Sequence, residues 1–427
     1  MLFWVHLAAA KHPDRVAIEG PERSLTYAEL SDAAMGAARA LQRLGARERV
    51  ALALPPGEEF VIALHGCVLA GVAAVPIDLR LGEAERAARM ADADVIVSEP
   101  LTGSGRPAPF HLGQPLAVMH TSGTTAAPKP VSLTASNFQA SALGSAVALG
   151  LDPAERWLCP MPLNHVGGLS IPIRSAIYAT TAVLHGRFDT EAALNELLDP
   201  ARRITIVSLV PTMLSRLLDA GLERPPTLRW ALLGGGPIAA SLLERAAAAG
   251  VPVAPTYGLT ETCSQIATFG WPLPGAEIKT SSEEVLVRGP MVSADALDPD
   301  GWLHTGDLGR FDERGRLQIT GRTADTIITG GENVAPTEVE GVLLAHPGVG
   351  DAAVIGRPDP EWGEALVAVV VARDGLSPDP QELRDFCRER LAPFKVPKSV
   401  EFAEELPRTA SGKLLRRQLQ AERARAD

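Results

Sequence analysis

The chain is short of cysteine, lysine, aromatics and long apolar runs, and each shortage excludes something. Its four cysteines, Cys67, Cys159, Cys263 and Cys387, show no CxxC spacing and no histidine partner pattern. That argues against a zinc site or a disulfide framework and fits a reducing cytoplasm. The longest apolar stretch, Phe60 to Pro76, contains His65 and two glycines. It is too short to span a bilayer and reads as a buried helix running into a strand. The N-terminus, MLFWVHLAAAKHPD, lacks a basic n-region and a long enough apolar core, so no signal peptide is expected.

A basic face is missing as well. The net charge is −11, which counts against nucleic acid and anionic lipid as partners because both need clustered positive charge. Small molecules are the expected partners, with a homodimer as the protein-level possibility. Only six of the forty basic residues are Lys, at 11, 129, 279, 395, 398 and 413. The rest are Arg, so each lysine is a pointer. What is present fits a large globular protein: 46% hydrophobic and 21% charged residues exclude a disordered chain, and 427 residues allow about three units of roughly 150 residues each.

From Arg15 onward, β-branched runs alternate with Ala/Leu-rich amphipathic stretches, the pattern of an α/β protein with parallel strands. Thr26 and Glu29 form a capping box, Tyr27 to Leu44 has helical periodicity, and Gly45 supplies the stop. RVALAL (49–54), TIVSLV (205–210) and RWALLGG read as buried strands, each next to a helical segment. After Gly270, EVLVRG and GRFDERGRLQITGR read as hairpins. Past Arg322 a small α+β unit follows, with helices PTEVEGVLLAH and PQELRDFCRERL and strands DAAVIG, EALVAVVVA and SVEFAEEL. The expected architecture is a large N-terminal domain, 1–321, with parallel α/β subdomains and a small β-rich subdomain, then a small mobile C-terminal domain, 322–427.

Five segments carry chemistry. MHTSGTTAAPKPVSL (119–133), placed between a strand and a helix starting near Thr134, offers hydroxyls and backbone N–H groups suited to phosphate oxygens; a merely polar surface loop is the alternative. It does not fit the GxxxxGK[ST] pattern. PTYGLTETCSQIAT (255–268) sets Tyr257 to stack on a base and Glu261 to hold a hard cation such as Mg²⁺, against a plain strand end. In GWLHTGDLGRF, Asp307 reads as a turn carboxylate able to accept both hydroxyls of a ribose, or as ordinary turn chemistry. GRTADTIITGGENVAPTEVE adds Arg322 and a glycine pair. PRTASGKLLR adds Lys413, which is either solvent-facing or functional.

In this order and spacing the set resembles the adenylate-forming superfamily, which includes acyl-CoA synthetases, peptide-synthetase adenylation domains and luciferases. The likeness runs from HPDRVAI and LTYAEL to SGKLLR. Within it, MPLNHVGGLSIPIRSAIYATTAVLHGRFD, LLGGGPIA and TYGLTETCSQIAT are most similar to the o-succinylbenzoate-CoA ligases of menaquinone biosynthesis. Another aryl- or fatty-acid-CoA ligase and a non-catalytic acyl- or nucleotide-binding homologue are the alternatives.

The resemblance implies a cytoplasmic enzyme using ATP, Mg²⁺ and CoA on a small carboxylic acid. Thr121, Ser122, Gly123, Thr124, Thr125 and Lys129 match its phosphate loop. Gly234, Gly235, Gly236, Thr256, Tyr257, Gly258 and Thr260 match the adenine slot, Asp307 and Arg322 the ribose clamp, and Glu261 the Mg²⁺ carboxylate. Lys413 matches the lysine bridging the acid and the ribose-phosphate region. His165, Gly235, Ser264 and Gln265 match the acyl pocket, and Gly330 and Gly331 the CoA tunnel. A rotation pivot is implied in Gly321–Asp325. The chain departs from the family pattern at Ala126, Ala127 and Pro130 of the phosphate loop, where φ freedom and a donor are lost, and at Ala324, which removes a polar group from the pivot.

Overall fold

The computed structural model describes residues 3–103, 111–121, 129–373, 375–409, 412 and 414–423. The chain divides into two compact units. One comprises Met1–Gly234, Ala249–Ile278 and Val287–Leu303, and the other Gly235–Ala248, Lys279–Leu286 and His304–Asp427.

Among the described residues the first unit holds a nine-stranded sheet and a five-stranded sheet. In the larger sheet, Thr181–Leu184, Arg156–Cys159, Ile206–Leu209, Trp230–Leu233 and Val253–Tyr257 run parallel. Thr181–Leu184 and Ile206–Leu209 are buried along their whole length, as strands must be when helices cover both faces. The smaller sheet sets Arg49–Leu52, Ala73–Pro76, Val95–Val97 and Pro115–Thr121 in parallel. Helix Tyr27–Arg43 has the capping box expected from Thr26 and Glu29, and Gly45 takes φ 86°. Phe60 to Pro76 divides into helix Glu58–Ala70 and strand Ala73–Pro76, turned by Gly71 at φ 77°. All four cysteines are buried and free.

One local expectation needs correcting. The phosphate-loop segment does not pass straight from strand to helix: Lys129–Thr134 is a strand, antiparallel to Pro115–Thr121, and helix Ala135–Leu149 follows it. Pro130 breaks the strand pattern in the sequence, yet it sits opposite His120 on the last strand of the sheet. An edge strand tolerates a residue that cannot donate.

In the second unit, Val349–Asp359 and Gly363–Ala372 form a long antiparallel hairpin, with Ser399–Phe402 parallel to the second arm. The period of two sorts its side chains. Val354, Ala368 and Val370 pack with Val339, Leu343, Leu383 and Cys387 of helices Pro336–Leu344 and Pro380–Arg388. Ala353, Ile355, Val367 and Val369 pack on the other face with Leu406 and Leu419. Leu303–Phe311 and Leu317–Arg322 form the antiparallel hairpin expected from the turn-rich sequence.

Candidate active site

Two strand ends and a turn build the part of the site in the first unit. Gly234 directly follows strand Trp230–Leu233, and a Cβ there would lie 2.7 Å from Thr256 Cγ2 and 2.9 Å from the Thr256 carbonyl on the neighbouring strand. Only glycine allows this approach. Thr256 Oγ1 donates to the Ala267 carbonyl at 2.9 Å, fixing the strand that ends at the half-buried Tyr257. Gly235, which begins a segment of the second unit, is exposed and left-handed at φ 79°.

The segment from Gly258 to Gln265 folds back on itself. Thr262 Oγ1 accepts from the Leu259 N–H at 2.8 Å, and the Ile266 N–H returns to the Tyr257 carbonyl at 2.9 Å. A Cβ on Gly258 would stand 1.6 Å from the Ser264 carbonyl, so no other residue fits. The turn presents Thr260 and Glu261 half-buried. Its base is strained, since Cys263 and Ser264 take φ 52° and 88°. Gln265 is 1% exposed, and among the described residues neither atom of its amide has a hydrogen-bond partner. A buried amide in that state costs stability and is therefore suited to a polar ligand.

Three residues that the sequence analysis assigns no role hold this turn. Ser141 donates to the Cys263 carbonyl at 2.8 Å. Arg174, 1% exposed, donates to Ser141 Oγ at 2.9 Å with its guanidinium 5.7 Å from the Trp157 ring centre. Ser293 donates its N–H to the Glu261 carbonyl at 2.8 Å. A sequence reading passes over them because serines are unremarkable. The one available signal is an arginine inside the apolar helix Val166–Tyr178.

His165 precedes that helix at its N-cap. Gly168 must lack a Cβ there, since one would fall 2.3 Å from the Pro162 carbonyl. Burial lowers the pKa of His165, Arg80 and Arg89 add to the effect, and Asp78 opposes it. The imidazole is neutral at pH 7. Burial pushes the Asp78 carboxyl up, but hydrogen bonds from Arg80 outweigh it and hold the group below its ordinary value.

Of the phosphate loop, Thr121 and Lys129 close the strand pair, and Thr121 Oγ1 donates to the Lys129 carbonyl at 3.2 Å. Ser122, Gly123, Thr124, Thr125, Ala126 and Ala127 lie outside the described residues, as does Lys413.

In the second unit Asp307 is not a turn residue. It lies within strand Leu303–Phe311, directly across from Arg322, and Arg322 Nε donates to its Oδ1 at 2.5 Å. The run from His304 to Asp307 reads as a turn because it contains Gly306, which is indeed left-handed at φ 67°, yet pairing with Leu317–Arg322 keeps the strand continuous. Asp307 is 4% exposed, so a partly desolvated carboxylate and guanidinium stand together. Gly330 and Gly331, both left-handed, turn the hairpin between Ile327–Thr329 and Glu332–Val334. A Cβ on Gly330 would meet the Trp362 ring at 3.1 Å.

The profile of the AMP-binding enzyme family matches residues 5–98 and 96–310, and that of the AMP-binding enzyme C-terminal domain matches 338–413. The chain belongs to the AMP-binding enzyme family. Its relatives include a 2-succinylbenzoate–CoA ligase of Bacillus licheniformis, 39% identical with 97% of this chain and 98% of the relative aligned. Solved structures of o-succinylbenzoate CoA synthetase from Bacillus subtilis are also similar. The complex with the acyl-adenylate intermediate OSB-AMP has 35% identity, a TM-score of 0.87 and coverage of 98% and 97% of the two chains. The complex with ATP and magnesium ion has 35% identity, a TM-score of 0.88 and coverage of 97% and 98%. The α/β architecture with a separate C-terminal part is thus that of an AMP-binding enzyme. Gly234, the Gly258–Gln265 turn and Asp307 fall in the first matched region, and Lys413 closes the second.

Proposed function

We propose that this AMP-binding enzyme is an ATP-dependent acid–CoA ligase that converts 2-succinylbenzoate to 2-succinylbenzoyl-CoA. The observation that carries the reading is likeness along nearly the whole chain to a 2-succinylbenzoate–CoA ligase. A neighbouring structure described as holding the OSB-AMP intermediate supports it.

The reaction has two steps. An oxygen of the acid attacks the α-phosphorus of ATP, the bond to the bridging oxygen breaks, and pyrophosphate leaves. The CoA sulfur, losing its proton, then attacks the acyl carbonyl and AMP leaves. Phosphoryl transfer needs chiefly positioning and charge neutralisation. Thr121, Ser122, Gly123, Thr124, Thr125 and Lys129 take the leaving phosphates. Gly234, Gly235, Gly236, Thr256, Tyr257, Gly258 and Thr260 take the adenine, and Asp307 with Arg322 the ribose. Lys413 bridges the acid and the phosphate. Neutral His165, Gly235, Ser264 and the unpaired Gln265 amide line the acyl pocket. Gly330 and Gly331 line the CoA tunnel after a rotation about Gly321–Asp325, between functional domains 1–321 and 322–427.

Among the described residues no group of three His, Cys, Asp or Glu could hold a metal ion by itself. Mg²⁺ bound with a nucleotide needs only one or two carboxylates, so Glu261 fits it. When bound, the ion neutralises phosphate charge.

A second copy of the chain is the expected protein partner, for which exposed Leu143, Val147 and Leu151 offer apolar surface. Among the described residues no helix is long and apolar enough to cross a membrane, and a cytoplasmic location is expected.

Purified protein given MgATP, 2-succinylbenzoate and CoA is expected to release pyrophosphate and form the thioester. If it does neither with this acid but does both with another aryl or fatty acid, the substrate assignment is wrong. If no acid supports pyrophosphate release, the ligase reading fails.

A further inference from the structure

The turn carrying Glu261 does not support itself. Left-handed φ values at Cys263 and Ser264 cost energy for residues with side chains, so surrounding contacts must hold them. Ser141 grips one end, at the Cys263 carbonyl. Ser293 grips the other and does something more.

Ser293 is fully buried. Its N–H donates to the Glu261 carbonyl at 2.8 Å, and its hydroxyl donates to the Ser132 carbonyl, also at 2.8 Å. Ser132 lies on strand Lys129–Thr134, three residues beyond Lys129. The segment before Ser293 is itself fixed, because Asn137 Nδ2 donates to the carbonyls of Pro290 and Val292 at 2.9 and 3.0 Å. Asn137 is anchored in turn through its Oδ1, which accepts from the Thr134 N–H at 2.9 Å. One serine therefore joins the Glu261 turn to the strand that leaves the phosphate loop.

We propose that Ser293 is a positioning residue for adenylation, setting the separation between the Glu261 turn and the phosphate-loop strand. The inference rests on the function proposed above, in which Glu261 faces Mg²⁺ and Lys129 faces the leaving phosphates. Ser293 acts through both without touching MgATP. In-line transfer rewards such spacing steeply, since misplacement by about 1 Å can cost on the order of 100-fold in rate.

The substitution Ser293→Ala keeps the N–H bond to Glu261 and removes the bridge to Ser132. Acid-dependent pyrophosphate release should fall about tenfold, with a higher Mg²⁺ concentration at half-maximal rate. Thioester formation from prepared acyl adenylate and CoA should stay within about twofold of wild type, because that step no longer uses the triphosphate. Ser293→Cys, close in size but a poor donor, should show the same split, and it decides the matter alone if the alanine variant does not fold. Unchanged pyrophosphate release, or equal losses in both steps, overturns the proposal. Glu261→Gln separates the two failures: wild-type Mg²⁺ dependence in that variant would sink the role given to Glu261, whatever Ser293 does.

Discussion

At the scale of single residues, charge and steric exclusion divide the work. Lysine scarcity points to Lys129 and Lys413, and Lys395 and Lys398 have structural partners. Lys395 is paired with Glu338 at 2.7 Å, and Lys398 stands 3.7 Å from the Trp362 ring centre. In the proposed mechanism Lys413→Ala removes a positive charge from beside the reacting carboxylate, so adenylation should slow by about 100-fold or more. Calorimetry should still detect ATP binding, because the residues proposed to hold the phosphates and the ribose are untouched. A variant that adenylates at the wild-type rate would remove Lys413 from the mechanism. Gly258 illustrates the steric side. Its place beside Tyr257 is legible in the sequence, but the 1.6 Å approach of the Ser264 carbonyl comes from a chain reversal that no residue type announces.

At the scale of elements, the N-terminal helices bring two histidines into the core. His6 lies on helix Trp4–Lys11 and hydrogen-bonds Ser31 Oγ at 2.7 Å, and His65 lies on helix Glu58–Ala70 with neither ring nitrogen partnered among the described residues. Burial, with a smaller contribution from nearby His6, lowers the His65 pKa from 6.5 to about 3. Burial also lowers that of His6, against the attraction of Asp32. The unfolded chain therefore takes up the His65 proton first as pH falls. Stability is full above about pH 6.5 and is lost toward pH 3, at about 1.4 kcal/mol per pH unit from His65. Urea midpoints measured from pH 7 to pH 5 should fall along this slope, and His65→Leu should flatten it. An equal slope in the variant would mean another group is responsible. Helix Glu58–Ala70 was legible as an apolar run, but the protonation cost depends on neighbours from other helices.

At the scale of the whole molecule, the proposed function gives the two reaction steps different arrangements of groups that sit far apart in the sequence. The proposed pivot, Gly321–Asp325, ends in the short 3₁₀ segment Thr323–Asp325. Proline fits the φ of a 3₁₀ helix and resists any other, so Ala324→Pro should tolerate the present conformation and hinder rotation. Hindered rotation should separate the two steps, one half-reaction staying within about threefold of wild type while the other falls by about 100-fold or more. Equal effects on the two steps, read by separate half-reaction assays, would place the pivot elsewhere.

The alternating α/β pattern, the capped helix at Tyr27–Arg43 and the five ordered segments are legible in the residues alone. Each of these is local, written in periodicity, caps and short motifs within a few residues. Only the tertiary structure decided that Lys129–Thr134 is a strand, that Asp307 sits in a ladder opposite Arg322, and that Ser141, Arg174 and Ser293 brace the Glu261 turn. Those outcomes depend on backbone pairing and on single hydrogen bonds between distant segments. A polar side chain carries no mark of its partner until the chain has folded around it.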